Sequence, residues 1–265
     1  MELTGKVVLL TGATGGLGRA IAKALADRGA QLIVSSRKPQ ELQELVASLP
    51  GGGHRTIVSD LAHPGAGPAL LAEAGSIDVL VSNAALPASG KLDSYTAEQV
   101  DRALRVNLEV PVQMTRELIP AFTDRGSGHF VYLSSISGKT ATARASLYAA
   151  TKFGLRGFAL CLRDDLRPHG VGVSVVSPGA IGGAGMFADS GADAPPLIGT
   201  GKPEQVGAAV VTAIERNRGE VTVAPLRQRV LARFAANAPE AASRLAGGMA
   251  AKTADKIAAG QIDKR

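Results

Sequence analysis

The sequence of 265 residues has one cysteine, no tryptophan and only 3% aromatic residues. Cys161 has no partner for a disulfide within the chain, and its apolar helical surroundings predict a small buried side chain. A lone cysteine is typical of a reducing compartment. The scarcity of aromatic side chains leaves few groups that could stack against nucleic-acid bases. These shortages disfavour a disulfide-rich secreted protein and a nucleic-acid partner.

The sequence also lacks long apolar runs. A membrane-spanning helix needs about 18 uninterrupted apolar residues, and charged, Gly or Pro residues interrupt every apolar run here. The first residues enter a strand-like run without the charged and apolar leader of a secretory signal. We therefore expect a cytoplasmic protein.

Positive charge is concentrated at the carboxyl end of the chain. The net charge of the chain is +6. Residues 225–265 contain eight basic and three acidic residues, a net charge of +5, so residues 1–224 carry only +1. Leu226, Val230 and Phe234 follow one another at helical spacing in this tail. The pattern fits three alternatives: contact with an anionic membrane, a cover over a binding cleft, or a subunit contact.

Short β-branched runs alternate with longer segments of helical period. The predicted strands lie near residues 6–11, 31–35, 55–59, 78–82, 128–134, 172–177 and 220–224. The predicted helices lie near residues 16–28, 39–49, 64–74, 97–124, 147–167 and 203–217. This alternation predicts an α/β fold, a single doubly wound Rossmann-like domain with a parallel seven-stranded sheet and helices on both faces. A C-terminal helical tail follows it.

Two segments fall outside the alternation. Residues 179–202 are rich in Gly, Ala and Pro and too long for a simple connector, so they predict a substrate loop or lid, with disorder as the alternative. We therefore divide the chain into a Rossmann-like catalytic domain at 1–224 and a basic amphipathic helical extension at 225–265.

A glycine turn joins the first strand to the first helix between Thr11 and Gly18. Such a turn lets the backbone approach a pyrophosphate, whose charge the N-terminus of the helix stabilises. The spacing Gly-x3-Gly-x-Gly departs from the general dinucleotide fingerprint, and a merely structural turn is the alternative. The expected cofactor contacts are Gly12, Thr14, Gly15, Gly16, Leu17 and Gly18.

The second strand ends in Ser36, Arg37 and Lys38, where an acidic residue would bind a ribose 2′-hydroxyl. Arg37 and Ser36 can instead bind a 2′-phosphate, which favours NADP(H) over the alternative NAD(H). A solvated basic pair is the competing interpretation of Arg37 and Lys38. Asp60 and Asn83 follow the third and fourth strands and suit either the adenine side of a cofactor or local turns.

Tyr148 and Lys152 lie four residues apart, which places both on one face of a helix. A strand that ends in Ser134 and Ser135 precedes this helix, and Asn107 lies two elements earlier. A free tyrosine has a pKa near 10, and an ammonium about 5 Å away would lower it by about two units. We therefore expect Lys152 to make Tyr148 a proton donor and acceptor near neutral pH.

In these motifs the sequence resembles the short-chain dehydrogenase/reductase family over about residues 3–223. Ser135 lies thirteen residues before Tyr148 and three before Gly138, which matches the family's catalytic serine. The resemblance implies a small-molecule carbonyl or alcohol substrate and a homodimer or homotetramer. It also implies that Asn107 organises a water that links Lys152 to solvent. The further cofactor contacts that it implies are Leu61, Ala84, Tyr148, Lys152, Pro178, Gly179 and Ile181. The four histidines, His54, His63, His129 and His169, show no ligand spacing, so we expect no metal site.

The sequence departs from the family pattern after Pro178 and Gly179. Gly183 stands where the family usually has a threonine that holds the nicotinamide carboxamide. Two other functions compete with a carbonyl reductase that acts on a hydrophobic small molecule. One is an NADP(H)-binding regulatory protein with little catalysis, and the other is a membrane-associated lipid carbonyl reductase that uses the basic tail.

Overall fold

The computed structural model describes residues 1–189, 191 and 199–261. Part of the predicted substrate loop, including Leu197 and Ile198, lies outside the described residues. The last four residues of the tail also lie outside them. The predicted boundary at residue 224 falls directly before a helix, and the division into two units remains a prediction.

The described residues form one parallel sheet of seven strands in the order β3-β2-β1-β4-β5-β6-β7. The strands are β1 (Val7–Thr11), β2 (Gln31–Ser36), β3 (Arg55–Val58), β4 (Val79–Ser82), β5 (Gly128–Leu133), β6 (Val171–Pro178) and β7 (Glu220–Val223). Strands β5 and β6 are buried along their whole length because helices cover both faces of the sheet. The predicted doubly wound α/β fold is confirmed.

Ten α-helices connect or follow the strands in the described part of the chain. They are α1 (Gly16–Ala26), α2 (Pro39–Ser48), α3 (Ala66–Ala74), α4 (Ala97–Leu104), α5 (Val110–Asp124), α6 (Ser146–Leu166), α7 (Gly185–Asp189), α8 (Pro203–Glu215), α9 (Leu226–Asn237) and α10 (Pro239–Ala259). Helices α1, α2 and α8 pack on one face of the sheet, and α3, α5 and α6 on the other. None of the described helices has both the length and the apolar character that a membrane span requires.

The order of the strands reverses between β1 and β4. Strand β1 pairs with β2 on one side and with β4 on the other, so successive crossovers leave β1 in opposite directions. The connections that follow these two strands separate at their carboxyl ends and leave a crevice there. The glycine turn after β1 and Asn83 after β4 both lie at this crevice.

The prediction of one continuous helix over residues 97–124 is wrong. A π-helical turn at Arg105–Glu109 separates α4 from α5. Pro111 has no N–H to donate to the carbonyl of Asn107 four residues earlier, so a regular α-helix cannot continue through this point. The turn carries Asn107, whose side chain is buried.

The prediction that Cys161 is buried is wrong, because its side chain is exposed. It lies on α6, whose buried side holds Leu155, Ala159 and Leu162. The apolar composition of this helix predicted burial without showing which side of it faces the sheet.

His129 lies buried in β5, with Nε2 2.8 Å from the Ser174 hydroxyl of β6. Burial, with smaller effects from the N-terminus and Arg163, lowers its pKa from 6.5 to about 3. Because the folded value is lower, the unfolded chain binds the additional proton between these two pH values. The neutral, buried His129 therefore contributes fully to the stability of the folded protein above pH 6.5, and this contribution is lost as the pH falls towards 3.

We expect the His129→Gln variant to lose less stability than the wild type as the pH falls through this window. Urea unfolding at several pH values measures the free energy of unfolding of each protein. His169→Gln is the matched control, because His169 is exposed and should leave the pH profile unchanged. Parallel pH profiles for wild type and His129→Gln would contradict this assignment.

Candidate active site

The ends of β1 and β4 are joined by Thr11 and Asn83. The backbone N–H groups of Asn83 and Ala84 each donate to Thr11 Oγ1 at 3.1 Å. The Asn83 side chain donates to the carbonyls of Thr11 and Gly12, both at 3.0 Å. The predicted cofactor residue Asn83 thus holds the glycine turn in place, which is a structural role that its position after a strand did not reveal.

Two glycines leave room for the close packing of this turn. Gly12 has φ +64, and a Cβ there would lie 2.8 Å from Ala84 Cα. A Cβ on Gly18 would lie 2.2 Å from the carbonyl oxygen of Gly12. Helix α1 begins at Gly16 with no side-chain cap, so its first N–H groups remain available to an anion. The cradle therefore fits the pyrophosphate of a dinucleotide.

The structure brings the predicted 2′-phosphate residues to the carboxyl end of β2. Arg37 Nη1 lies 3.9 Å from Asp60 Oδ2, and both side chains are partly exposed. Lys38 instead forms an ion pair with Glu41 at 2.6 Å. Ser36 Oγ accepts a hydrogen bond from the backbone N–H of Lys38. Arg37, rather than Lys38, is therefore the basic residue oriented towards Asp60.

Asp60 has a second contact of its own. Its Oδ1 accepts a hydrogen bond from the backbone N–H of Ala62 at 3.0 Å. Asp60 therefore forms a local turn, and its position beside Arg37 is also compatible with the predicted contact on the adenine side of a cofactor. The adjacent predicted contact, Leu61, is buried in the core.

Ser135, Tyr148 and Lys152 come together between the end of β5 and the start of α6. The Ser135 hydroxyl lies close enough to the Tyr148 phenol to lower its pKa. Lys152 Nζ lies 5.7 Å from the centre of the Tyr148 ring and donates to the Leu133 carbonyl at 2.8 Å. The three predicted catalytic side chains thus form one cluster.

Ser134 has a role that the sequence did not reveal. Its hydroxyl donates to the backbone carbonyl of Lys152 at 3.0 Å, which joins the strand to the helix. Gly138 packs closely here, because a Cβ at this position would lie 2.6 Å from Ser134 Oγ. Ser134 therefore joins the end of β5 to α6 beside the three predicted catalytic side chains.

Burial controls the electrostatics of the cluster. It raises the pKa of Tyr148 from 10 to about 12, and the neighbouring Ser135 hydroxyl opposes this effect. Burial also lowers the pKa of Lys152 from 10.5 to about 8. The expectation that Lys152 lowers the pKa of Tyr148 is therefore wrong for the protein alone. Desolvation disfavours the charged forms of both groups, and the Lys152 ammonium is directed towards the Leu133 carbonyl.

The Asn107 side chain is held by the segment that follows β4. Its Oδ1 accepts from the Leu86 N–H at 2.7 Å, and its Nδ2 donates to the Leu86 carbonyl at 3.0 Å. Nδ2 also lies 3.5 Å from Thr151 Oγ1 on α6. These contacts make Asn107 a satisfied buried amide, and its role in ordering a water remains a prediction.

The segment after β6 leads back towards the glycine turn. It continues from Pro178, the last residue of β6, through Gly179, whose N–H donates to the Val223 carbonyl at 2.9 Å. Ile181 is buried and forms a parallel bridge with Gly201. The chain then approaches the glycine turn, where a Cβ on Gly16 would lie 2.5 Å from Ala184 Cβ.

Gly183, which replaces the family's threonine, has φ +76. A β-branched side chain is strained in this left-handed conformation. The local chain conformation therefore suits the glycine of this sequence better than the threonine of the family pattern.

Gln228 on α9 was missed in the sequence because a glutamine in an amphipathic helix usually faces solvent. Its side chain is instead buried and connects the two ends of the substrate loop. Nε2 donates to the Gly199 carbonyl at 2.7 Å, and Oε1 accepts from the Ala180 N–H at 3.3 Å. The tail thus contributes directly to the architecture of the site.

Comparison with known proteins agrees with this geometry. A family model described as short chain dehydrogenase matches residues 6–194. The chain is 37% identical over 227 residues to the ketoacyl reductase HetN of Nostoc sp., which covers 83% of this chain and 79% of that protein. It is 38% identical over 187 residues to dehydrogenase/reductase SDR family member 7B of Bos taurus, which covers 66% of this chain and 58% of that protein.

A solved structure gives the same result. The short-chain dehydrogenase from Sphingobium yanoikuyae in complex with NADPH superposes with a TM-score of 0.75 and 27% identity. The superposition covers 82% of this chain and 87% of that one. The chain therefore belongs to the short-chain dehydrogenase/reductase family, whose members are NAD(P)-dependent oxidoreductases that act on CH–OH groups.

Proposed function

We propose that this enzyme interconverts a hydrophobic ketone or aldehyde and its alcohol with NADP(H), and that Tyr148 exchanges the proton. The observation that carries this proposal is the placement of Tyr148 next to Ser135 and beside the buried Lys152. The cluster lies at the carboxyl ends of the strands, on the same edge of the sheet as the glycine turn. This placement suits a substrate carbonyl next to a bound nicotinamide.

The dinucleotide would bind along the crevice. The N–H groups of the turn from Gly12 to Gly18 would hold its pyrophosphate, with Asp60 and Leu61 beside the adenine and Asn83 and Ala84 beside the adenosine ribose. Tyr148 and Lys152 would contact the nicotinamide ribose. Pro178, Gly179 and Ile181 would enclose the nicotinamide ring.

A bound nicotinamide supplies the hydride that the carbonyl carbon receives in reduction. Ser135 holds the carbonyl oxygen with its hydroxyl. Tyr148 donates its proton to that oxygen, which completes the alcohol. With a pKa of about 12, the phenol is protonated at neutral pH and is ready to act as the donor. The Lys152 ammonium then stabilises the phenolate until a proton returns from solvent.

The proposed preference for NADP(H) depends on Arg37. Arg37→Ala should raise the KM for NADPH by about tenfold to a hundredfold and change the KM for NADH little, since a hydrogen bond to a charged group contributes about 1.5–3 kcal/mol. Steady-state kinetics with both cofactors measures the two values. Lys38→Ala is the control, because Lys38 is paired with Glu41 and should leave the preference intact. Equal losses with NADPH and NADH would exclude the 2′-phosphate role.

The substrate is proposed to be apolar because Ile181, Met186 and Phe187 lie in the loop beside the site. A screen of ketones, aldehydes and 3-ketoacyl thioesters tests the proposal. The loss of NADPH absorbance measures the turnover of each compound. The thioesters are included because the similar HetN protein is named a ketoacyl reductase. Cofactor binding without turnover of any compound would favour the NADP(H)-binding regulatory alternative.

Gln228 should affect the substrate more than the cofactor. Gln228→Ala removes both hydrogen bonds that join the ends of the loop, so we expect the carbonyl KM to rise by about fivefold to thirtyfold. Amide hydrogen exchange at Ala180 should accelerate in the same variant. Gln43→Ala provides the control, because Gln43 is exposed on α2. Unchanged exchange and KM in Gln228→Ala would show that the loop does not depend on this side chain.

A further inference from the structure

Helix α9 has two faces of opposite character. Gln228 and Ala232 are buried against the protein. The other side exposes four large apolar side chains, with exposed fractions from 42% for Phe234 to 72% for Leu226. The other two are Val230 and Leu231. Among the side chains whose exposure the structure describes, which leave out residues 243 and 245–253, half of the large exposed apolar ones thus lie on this single helix.

The arrangement of these residues is that of an interfacial helix. Leu226, Val230 and Phe234 follow at intervals of four and form one stripe. Arg229 and Arg233, also four residues apart, form an exposed basic row beside it. The helix contains no acidic residue. An apolar stripe with flanking cations matches a surface that is apolar inside and anionic at its boundary.

We propose that α9 docks this enzyme on an anionic lipid surface. A second copy of the chain fits the same face less well. Two-fold contact through α9 would bring Arg229 and Arg233 near the same residues of the partner, and α9 offers no carboxylate to pair with them. Lipid headgroups supply the missing negative charge, and the acyl region accepts Val230 and Phe234.

The buried side of α9 connects this surface to the active site. Gln228, which lies between the exposed residues in sequence, holds both ends of the substrate loop through Ala180 and Gly199. Docking through α9 therefore places the two ends of the substrate loop, at Ala180 and Gly199, close to the lipid. Resting on the proposed function, this position suits an enzyme that takes an apolar carbonyl compound directly from a membrane.

Vesicle co-sedimentation of the full chain tests the docking without any turnover. The vesicles are phosphatidylcholine alone, or phosphatidylcholine mixed equally with phosphatidylglycerol. We expect binding to the anionic vesicles only, weakened by added salt. The double variants Val230→Glu/Phe234→Glu and Arg229→Gln/Arg233→Gln should each bind at least about tenfold more weakly. Leu92→Glu, at an equally exposed apolar residue outside the tail, should bind like wild type.

Three results would overturn the proposal. The first is the absence of wild-type binding, or equal binding to both kinds of vesicle. The second is unchanged binding of the two double variants. The third is a lower mass for Val230→Glu/Phe234→Glu in light scattering, which would assign the face to a second copy of the chain. Circular dichroism and NADPH binding confirm that each variant is folded, so a failure of docking is separate from a failure of the proposed reaction.

Discussion

Tyr148→Phe should lower the kcat for carbonyl reduction by about 10²–10⁴-fold, the range of one lost general acid. The substitution removes a single oxygen and keeps the ring against Lys152. NADPH binding should change far less, because the glycine turn and Arg37 are untouched. Stopped-flow reduction at saturating NADPH, together with cofactor fluorescence titration, separates the two effects.

Tyr132→Phe is the matched control for this experiment. Tyr132 is buried in β5, and its hydroxyl lies 2.6 Å from Thr115 Oγ1, away from the catalytic cluster. Its loss should cost about 1 kcal/mol of stability and leave the rate intact. A Tyr148→Phe enzyme as active as Tyr132→Phe would refute the assignment of Tyr148 as the proton donor.

Gly18→Ala should weaken NADPH binding by at least about a hundredfold, which corresponds to about 3 kcal/mol. Its methyl group would lie 2.2 Å from the Gly12 carbonyl oxygen, a backbone atom that cannot move without distorting the turn. Overpacking of this kind typically lowers stability by about 1–3 kcal/mol as well. Isothermal titration and thermal unfolding measure the two losses.

Gly157→Ala is the matched control for this substitution. Gly157 lies on α6, and a Cβ there would meet nothing within 4 Å. Gly157→Ala should therefore bind NADPH as wild type does. Similar affinities for Gly157→Ala and Gly18→Ala would show that the close packing inside the turn does not determine cofactor binding.

The parts of the site that depend on local sequence were predictable. The strand, glycine turn and helix between Val7 and Ala26 are consecutive, so their order alone indicates a phosphate cradle. Tyr148 and Lys152 share one helical face because they are four residues apart. The choice of Ser135 over Ser134 required the family spacing, and the structure shows different contacts for the two hydroxyls.

Features that depend on distant contacts were not predictable. Gln228 contacts residues on both sides of a loop, and nothing in its own helix distinguishes it from a solvated side chain. The burial of Lys152 depends on how closely α6 packs on β5. The expected distance between Tyr148 and Lys152 on one helix predicted a lowered pKa for Tyr148, whereas burial raises it.

The most direct test of the central claim is the fate of the transferred hydrogen. NADPH that carries deuterium at the reactive position of its nicotinamide should be incubated with the best carbonyl substrate from the screen. The proposed function predicts one deuterium on the former carbonyl carbon of the alcohol and none on its oxygen, with the rate of transfer at least about a hundredfold lower in Tyr148→Phe. An alcohol without deuterium on that carbon, or an equal rate of labelling by Tyr148→Phe, would contradict it.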